Sequence, residues 1–74
     1  MINIGQNIKE ELARQERTVS WLAKKLGCTR AVVYRIMGKN SIDTAMLSRI
    51  SIVLERNFFI ELSDEMGIRL NKRA

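Results

Sequence analysis

Arg30, Ala31, Tyr34 and Arg35 lie on one arc of a short helical pattern, RAVVYRIM, whose opposite arc holds Val33 and Ile36. Arginine can donate paired hydrogen bonds to O6 and N7 of guanine, and an alanine methyl can meet the methyl of thymine. Tyr34 can bond a phosphate or pack on a sugar edge. The charge around this pattern has one sign. From Arg14 to Lys39 the chain carries seven basic residues and a single acid, Glu16, while the remainder is close to neutral. A surface arginine alone is usually a solvated charge. Seven cations concentrated on one stretch are an electrostatic footprint for phosphate. The chemistry indicated is the reading of a duplex by a helix, with phosphate contacts around it.

Catalytic chemistry is poorly served. The chain has no His, its single Cys28 has no partner for a disulfide or a metal, and no glycine-rich phosphate loop is present. Glu10 and Glu11 are neighbours on a helical pattern, so they point about 100° apart and cannot converge on a substrate. The chain therefore reads as a non-enzyme with no metal and no cofactor.

The elements that must position the arc follow from spacing. Val19, Leu22, Ala23 and Leu26 mark one helix face, and Val33 and Ile36 mark the next, with Val32 and Met37 flanking. Gly27 between them suits a left-handed helix end. Thr29 suits the N-cap of the second helix and Thr18, with Ser20 as an alternative, that of the first. Ala23 is small where the two helices must approach. Two helices joined by a sharp corner form the helix-turn-helix plan, whose second helix can lie in a major groove. Trp21, off the apolar face, is expected to pack partially.

At 74 residues the chain is one small domain, and with 46% hydrophobic residues it has enough apolar side chains for a core. Absence of Pro and scarcity of Gly favour short helices. Ile4, Ile8 and Leu12, widened by Ala13, predict a first helix over 4–16 with Gln6, Asn7, Lys9, Glu10, Glu11 and Arg14 left to solvent. Gly5 weakens its first turn. Gln15–Arg17 form a corner. Gly38 stops the third helix. Ser41 or Asp43 caps a fourth, which runs to about Glu55 on Met46, Leu47, Ile50, Val53 and Leu54, with Ile42 filling the corner. Asn57 is the expected terminator after it. Phe58, Phe59 and Leu62 open a fifth helix ending near Glu65 or Met66. One Phe plugs the core. Phe58, Phe59 and Ile60 are the candidates for a dimer contact. The fold expected is all-α, a compact bundle of about five short helices over 1–66. Residues 67–74 form a tail, flexible or exchanged as a strand between two chains.

The runs IGQNIKEELARQ, TVSWLAKKLGCTRAVVYRIM and SIDTAMLSRISIVL resemble, in that order, the lambda-repressor-like (Cro/C1-type, XRE) helix-turn-helix family, in its small single-domain bacterial members. The most specific parts are Leu22-Ala23…Leu26-Gly27 and Val33…Arg35-Ile36. The resemblance implies a five-helix domain that binds operator DNA as a homodimer. By position it makes Thr29, Arg30, Ala31, Tyr34 and Arg35 the DNA-facing residues, and it makes Lys39, Asn40 and Ser41 contacts to the backbone. Many members carry Gln where this chain has Val19, and a polar residue where it has Tyr34. Arg17, Thr18 or Ser20 could take over the phosphate contact that the Gln would make.

The expectation is a sequence-specific DNA-binding regulator, a repressor in the family's usual sense, with the helix Arg30–Met37 in the major groove. Base reading falls to Arg30, Ala31, Tyr34 and Arg35. Phosphate contacts fall to Arg17, Thr18, Ser20, Thr29, Lys39, Asn40 and Ser41. Two copies on a near-palindrome would place half-sites roughly 34 Å apart. The alternative is a protein-interaction module, such as an antitoxin or adaptor on the same fold. Met1 leads into a polar periodic helix and no apolar run has spanning length, so a cytoplasmic, nucleoid-associated protein with no membrane partner is expected. No small-molecule ligand is expected, for want of a second domain to hold one.

Overall fold

The structure is a computed structural model that describes residues 3–39 and 42–73. Five helices follow in order: α1 (Ile4–Arg14), α2 (Val19–Leu26), α3 (Arg30–Met37), α4 (Thr44–Leu54) and α5 (Phe58–Arg73). There is no strand among the described residues. Asn40 and Ser41, both proposed phosphate contacts, lie outside them.

Each of the first four helices starts on a polar side chain that accepts a backbone N–H three residues on, as orphan helix donors require. Asn3, Thr18, Thr29 and Asp43 accept from Gln6, Trp21, Val32 and Met46 at 3.0, 3.0, 3.3 and 2.7 Å. Asp43, rather than Ser41, is thus the cap of α4. Asn57 has a different role from the one its type suggested. Its Oδ1 accepts from Phe59 N and Ile60 N at 3.0 and 3.3 Å, so it starts α5. Termination of α4 falls to Glu55, left-handed at φ 54°. Likewise α1 stops at Arg14, short of the expected Glu16, which is left-handed at φ 56°.

The α2–α3 corner forms as the spacing predicts. Gly27 sits at φ 73°, and the N–H groups of Gly27 and Cys28 donate to Lys24 O and Ala23 O at 3.2 and 3.0 Å. From α4, the Arg49 guanidinium donates to Leu26 O and ties off the same helix end. A Cβ at Gly27 would meet nothing within 4 Å. Gly27→Ala is therefore expected to cost only its left-handed strain, about 1–2 kcal/mol, read from the urea midpoint.

The core comprises Ile4, Ile8 and Leu12 from α1, Leu22, Ala23 and Leu26 from α2, Val33 from α3, Leu47, Ile50 and Leu54 from α4, and Phe58. Ile36, Cys28, Met37 and Ile42 pack against it from its edge. Phe58 is fully buried, which makes it the plug and removes it from the dimer candidates. Ala13 faces solvent, contrary to its expected place on the apolar face of α1.

Two departures from expectation have physical causes. Glu11, assigned to solvent, is only 2% exposed. Its carboxylate accepts from Arg14, from Gln15 Nε2 at 2.7 Å and from Arg56 Nη1 at 2.9 Å, while Arg56 also pairs with Glu61 at 2.6 Å. Asn7 Nδ2 joins by donating to Glu61 at 3.1 Å, and Gln15 Nε2 donates to Leu54 O at 2.8 Å. A paired and hydrogen-bonded carboxylate tolerates burial. The network clamps α1 to the α4–α5 turn.

The Arg14 hydrogen bond, with those of Gln15 and Arg56, holds the Glu11 pKa down from 4.5 to about 2 against the opposing effect of burial. The folded state then binds fewer protons than the unfolded state between those values, so stability rises with pH there. On acidification this contribution is fully present above about 4.5 and is lost toward 2. Urea titrations across that window should show a shallower acid loss in Glu11→Gln than in the parent chain. Identical pH slopes would remove Glu11 from the acid response.

The second departure is α5. Instead of ending at Glu65 or Met66, it continues through Gly67 to Arg73, so residues 67–73 are helix and not an extended tail or strand. An interior glycine costs about 1 kcal/mol, too little to stop a helix by itself. An Arg69–Glu65 contact of 3.4 Å spans the glycine at helical spacing.

Candidate nucleic-acid interface

The helix α3 rests on α2 and α1, and α2 rests in turn on α4. Its inward residue is Val33, 1% exposed. That anchor turns Arg30, Ala31, Tyr34 and Arg35 outward, and all four are exposed, Tyr34 at 60%. No ion pair engages Arg30 or Arg35 among the described residues. The two guanidiniums therefore remain open to an outside acceptor. No acid occurs on α3.

Further cations occupy three positions on the molecule. Arg17, just ahead of the α2 N-cap, and Lys25 within α2 flank the half-buried Trp21, with their charged groups 4.7 and 6.0 Å from its ring centroid. The indole thus packs as expected and also steadies two cations at the surface. Thr18, Ser20 and Thr29 are exposed. Thr18 and Thr29 use their oxygens as helix caps. Past the end of α3, Lys39 and Arg35 line a groove of about 230 Å³ with Asp43 and the apolar Val32, Ile36, Ile42 and Met46.

A third position was missed in the sequence. Gln6 and Lys9 of α1 line a second groove with Tyr34, Met37 and Gly38, so Lys9 stands beside the outer arc of α3. Only the seating of α1 on α3 places it there, and the one signal for that seating was Gly5. A Cβ at Gly5 would come within 2.2 Å of Met37 O and 2.9 Å of Lys39 O. The glycine is where the start of α1 meets the end of α3, rather than a weak first turn.

Of the dimer candidates, Phe59 and Ile60 are 37% and 56% exposed. No group of His, Cys, Asp and Glu suited to hold a metal occurs among the described residues, and none of their helices is long and apolar enough to cross a membrane. Compared with known proteins, the chain matches no protein-family model, no curated protein and no solved structure.

Proposed function

We propose that this protein binds double-stranded DNA sequence-specifically, as a transcriptional regulator of the repressor kind, with α3 in the major groove. The observation that carries the reading is the outer face of α3, which bears no acid and, among the described residues, no ion pair, with Lys9 beside Tyr34 and Lys39 beside Arg35. An eight-residue helix is about 12 Å long and meets only a few base pairs. Specific recognition then asks for two copies on a near-palindrome, with half-sites roughly 34 Å apart. The resemblance to the lambda-repressor-like family supports the same assignment. Arg30, Ala31, Tyr34 and Arg35 take the base edges. Arg17, Thr18, Ser20, Thr29 and Lys39, joined by Lys9 and Lys25, take phosphate.

The test is fluorescence anisotropy of a random duplex at several salt concentrations. Each phosphate neutralised contributes a slope of about −0.9 to log K against log salt, so affinity should fall steeply as salt rises. Selection from a random library then defines the site. Failure to bind even at low salt would overturn the reading in favour of a protein-interaction module, such as an antitoxin or adaptor. The exposed apolar side chains of α5 are the observation that favours that second reading.

A further inference from the structure

We propose that the groove between α3 and the start of α4 binds a small monocarboxylate carrying one ring or a short apolar chain, and that this ligand competes with duplex for Arg35 and Lys39. The binding step stands apart from the DNA reading, and only the competition rests on it.

The groove follows from how the helices are braced. Val32, Arg35, Ile36 and Lys39 recur at intervals of three and four, so they form one strip along α3. The helical turn carries past Met37, since the Lys39 N–H donates to Ile36 O at 3.2 Å. The strip lies between the inward Val33 and the outer arc, and Arg35 belongs to both strip and arc. Across from it stand Ile42, Asp43 and Met46. Both α3 and α4 rest on α2 more than on each other. The wedge between them therefore stays open, with about 230 Å³ of space.

Its floor is apolar and its rim is charged. Val32, Ile36, Ile42 and Met46 are half-buried, so the fold leaves part of their surface for a ligand to cover. Arg35 and Lys39 are exposed at the rim, and neither forms an ion pair among the described residues, although Asp43 lines the same groove. One oxygen of Asp43 is already committed, accepting from Met46 N at 2.7 Å as the cap of α4. A guanidinium can take a carboxylate in paired hydrogen bonds.

Charge and size select the occupant. Two cations against one acid leave the rim with a single net positive charge. A monoanion matches that charge, whereas a dianion would meet Asp43 uncompensated. A phosphodiester of the duplex is also a monoanion, but it offers nothing apolar to the floor. The space exceeds the roughly 150 Å³ in which an apolar cavity holds benzene and falls short of the roughly 300 Å³ at which pockets for drug-sized molecules begin. One ring or a short chain beside the carboxylate is what fits. No second domain is needed to hold such a ligand, because two helices of this one form the site.

The probe is phenylpropionate, titrated into the full chain and followed by proton–nitrogen correlation spectra. Saturable shifts should centre on Val32, Ile36, Ile42 and Met46. Acetate, which has the charge and no ring, and phenylpropylamine, which has the ring and the opposite charge, should leave those signals in place. Lys39→Gln, at an exposed side chain, should weaken the probe severalfold, and Met46→Glu, which sets a carboxylate on the floor, should abolish its binding. Shifts spread over the whole chain, shifts matched by acetate or the amine, or binding retained in both variants would overturn the proposal. So would a groove that ignores the probe, whether an acidic peptide of another protein fills it or nothing does. Competition is read by anisotropy of a duplex at constant ionic strength, where phenylpropionate should weaken binding severalfold and acetate should not. Duplex affinity unmoved by a saturating probe overturns the competition. A chain that takes the probe but ignores duplex overturns the DNA reading, and the competition with it, and upholds the groove ligand.

Discussion

Gly5→Ala should destabilise the protein more than any other single methyl added to it. The added Cβ would lie 2.2 Å from the carbonyl oxygen of Met37, 2.7 Å from its carbonyl carbon and 2.9 Å from Lys39 O. These are backbone atoms at the end of α3, and no rotamer change can move them aside. Relief requires α1 to lift from α3, which would loosen the contacts of Ile4 and Ile8 in the core. Overpacking of this kind costs about 1–3 kcal/mol and more where backbone must shift. A chain of this length has a total stability of roughly 4–11 kcal/mol, so a large share would be lost. The sign is the informative part. In an open helical position alanine is favoured over glycine by about 1 kcal/mol, and Gly67→Ala, with open space at its Cβ, should raise the urea midpoint. Opposite shifts from the same substitution at the two glycines would establish that α1 is seated on α3. A Gly5→Ala chain as stable as its parent would show that it is not.

Gly5 also marks the boundary between what local spacing reveals and what it conceals. Local signals carried the α2–α3 unit. Thr18, Gly27 and Thr29 act within a few residues of themselves, and Leu22, Ala23, Leu26 and Val33 recur at the period of the helix they build. The same holds for Leu47, Ile50 and Leu54. The errors arose where the deciding partner is distant in sequence. Glu11 reads as solvated because Arg56, which makes its burial tolerable, is forty-five residues on. Lys9 reads as an ordinary surface charge because Tyr34 reaches it only through the packing of α1. The end of α5 was misplaced for another reason. A glycine and a short alternation of apolar and polar residues were read as a stop, although the energy of one glycine is smaller than what a helix-spanning ion pair and a packed base can offset. Asn57 was expected to end α4, but Glu55 takes the left-handed position there, and the asparagine oxygen caps the next helix instead.

The arginines of α3 give the second large effect, on affinity rather than folding. Arg30 and Arg35 are exposed and form no ion pair among the described residues. Replacing both with alanine should therefore leave the urea midpoint close to that of the parent, since neither guanidinium supports the core. Against a selected duplex the double variant should bind far more weakly. A bidentate contact to guanine contributes about 1–3 kcal/mol of discrimination. Two independent contacts then amount to roughly 2–6 kcal/mol, or about thirty-fold to twenty-thousand-fold in affinity. On random duplex the loss should be much smaller, because only charge is removed there and the cations around Trp21 and beyond α3 remain. The contrast between the two substrates separates base readout from phosphate attraction. Arg17→Ala and Lys25→Ala serve as the counterpart, since they should weaken both substrates alike and flatten the salt slope by about one phosphate each. If the α3 double variant loses equally on selected and random DNA, its arginines hold phosphate. Specificity would then have to come from Ala31, Tyr34 and the deformability of the site itself.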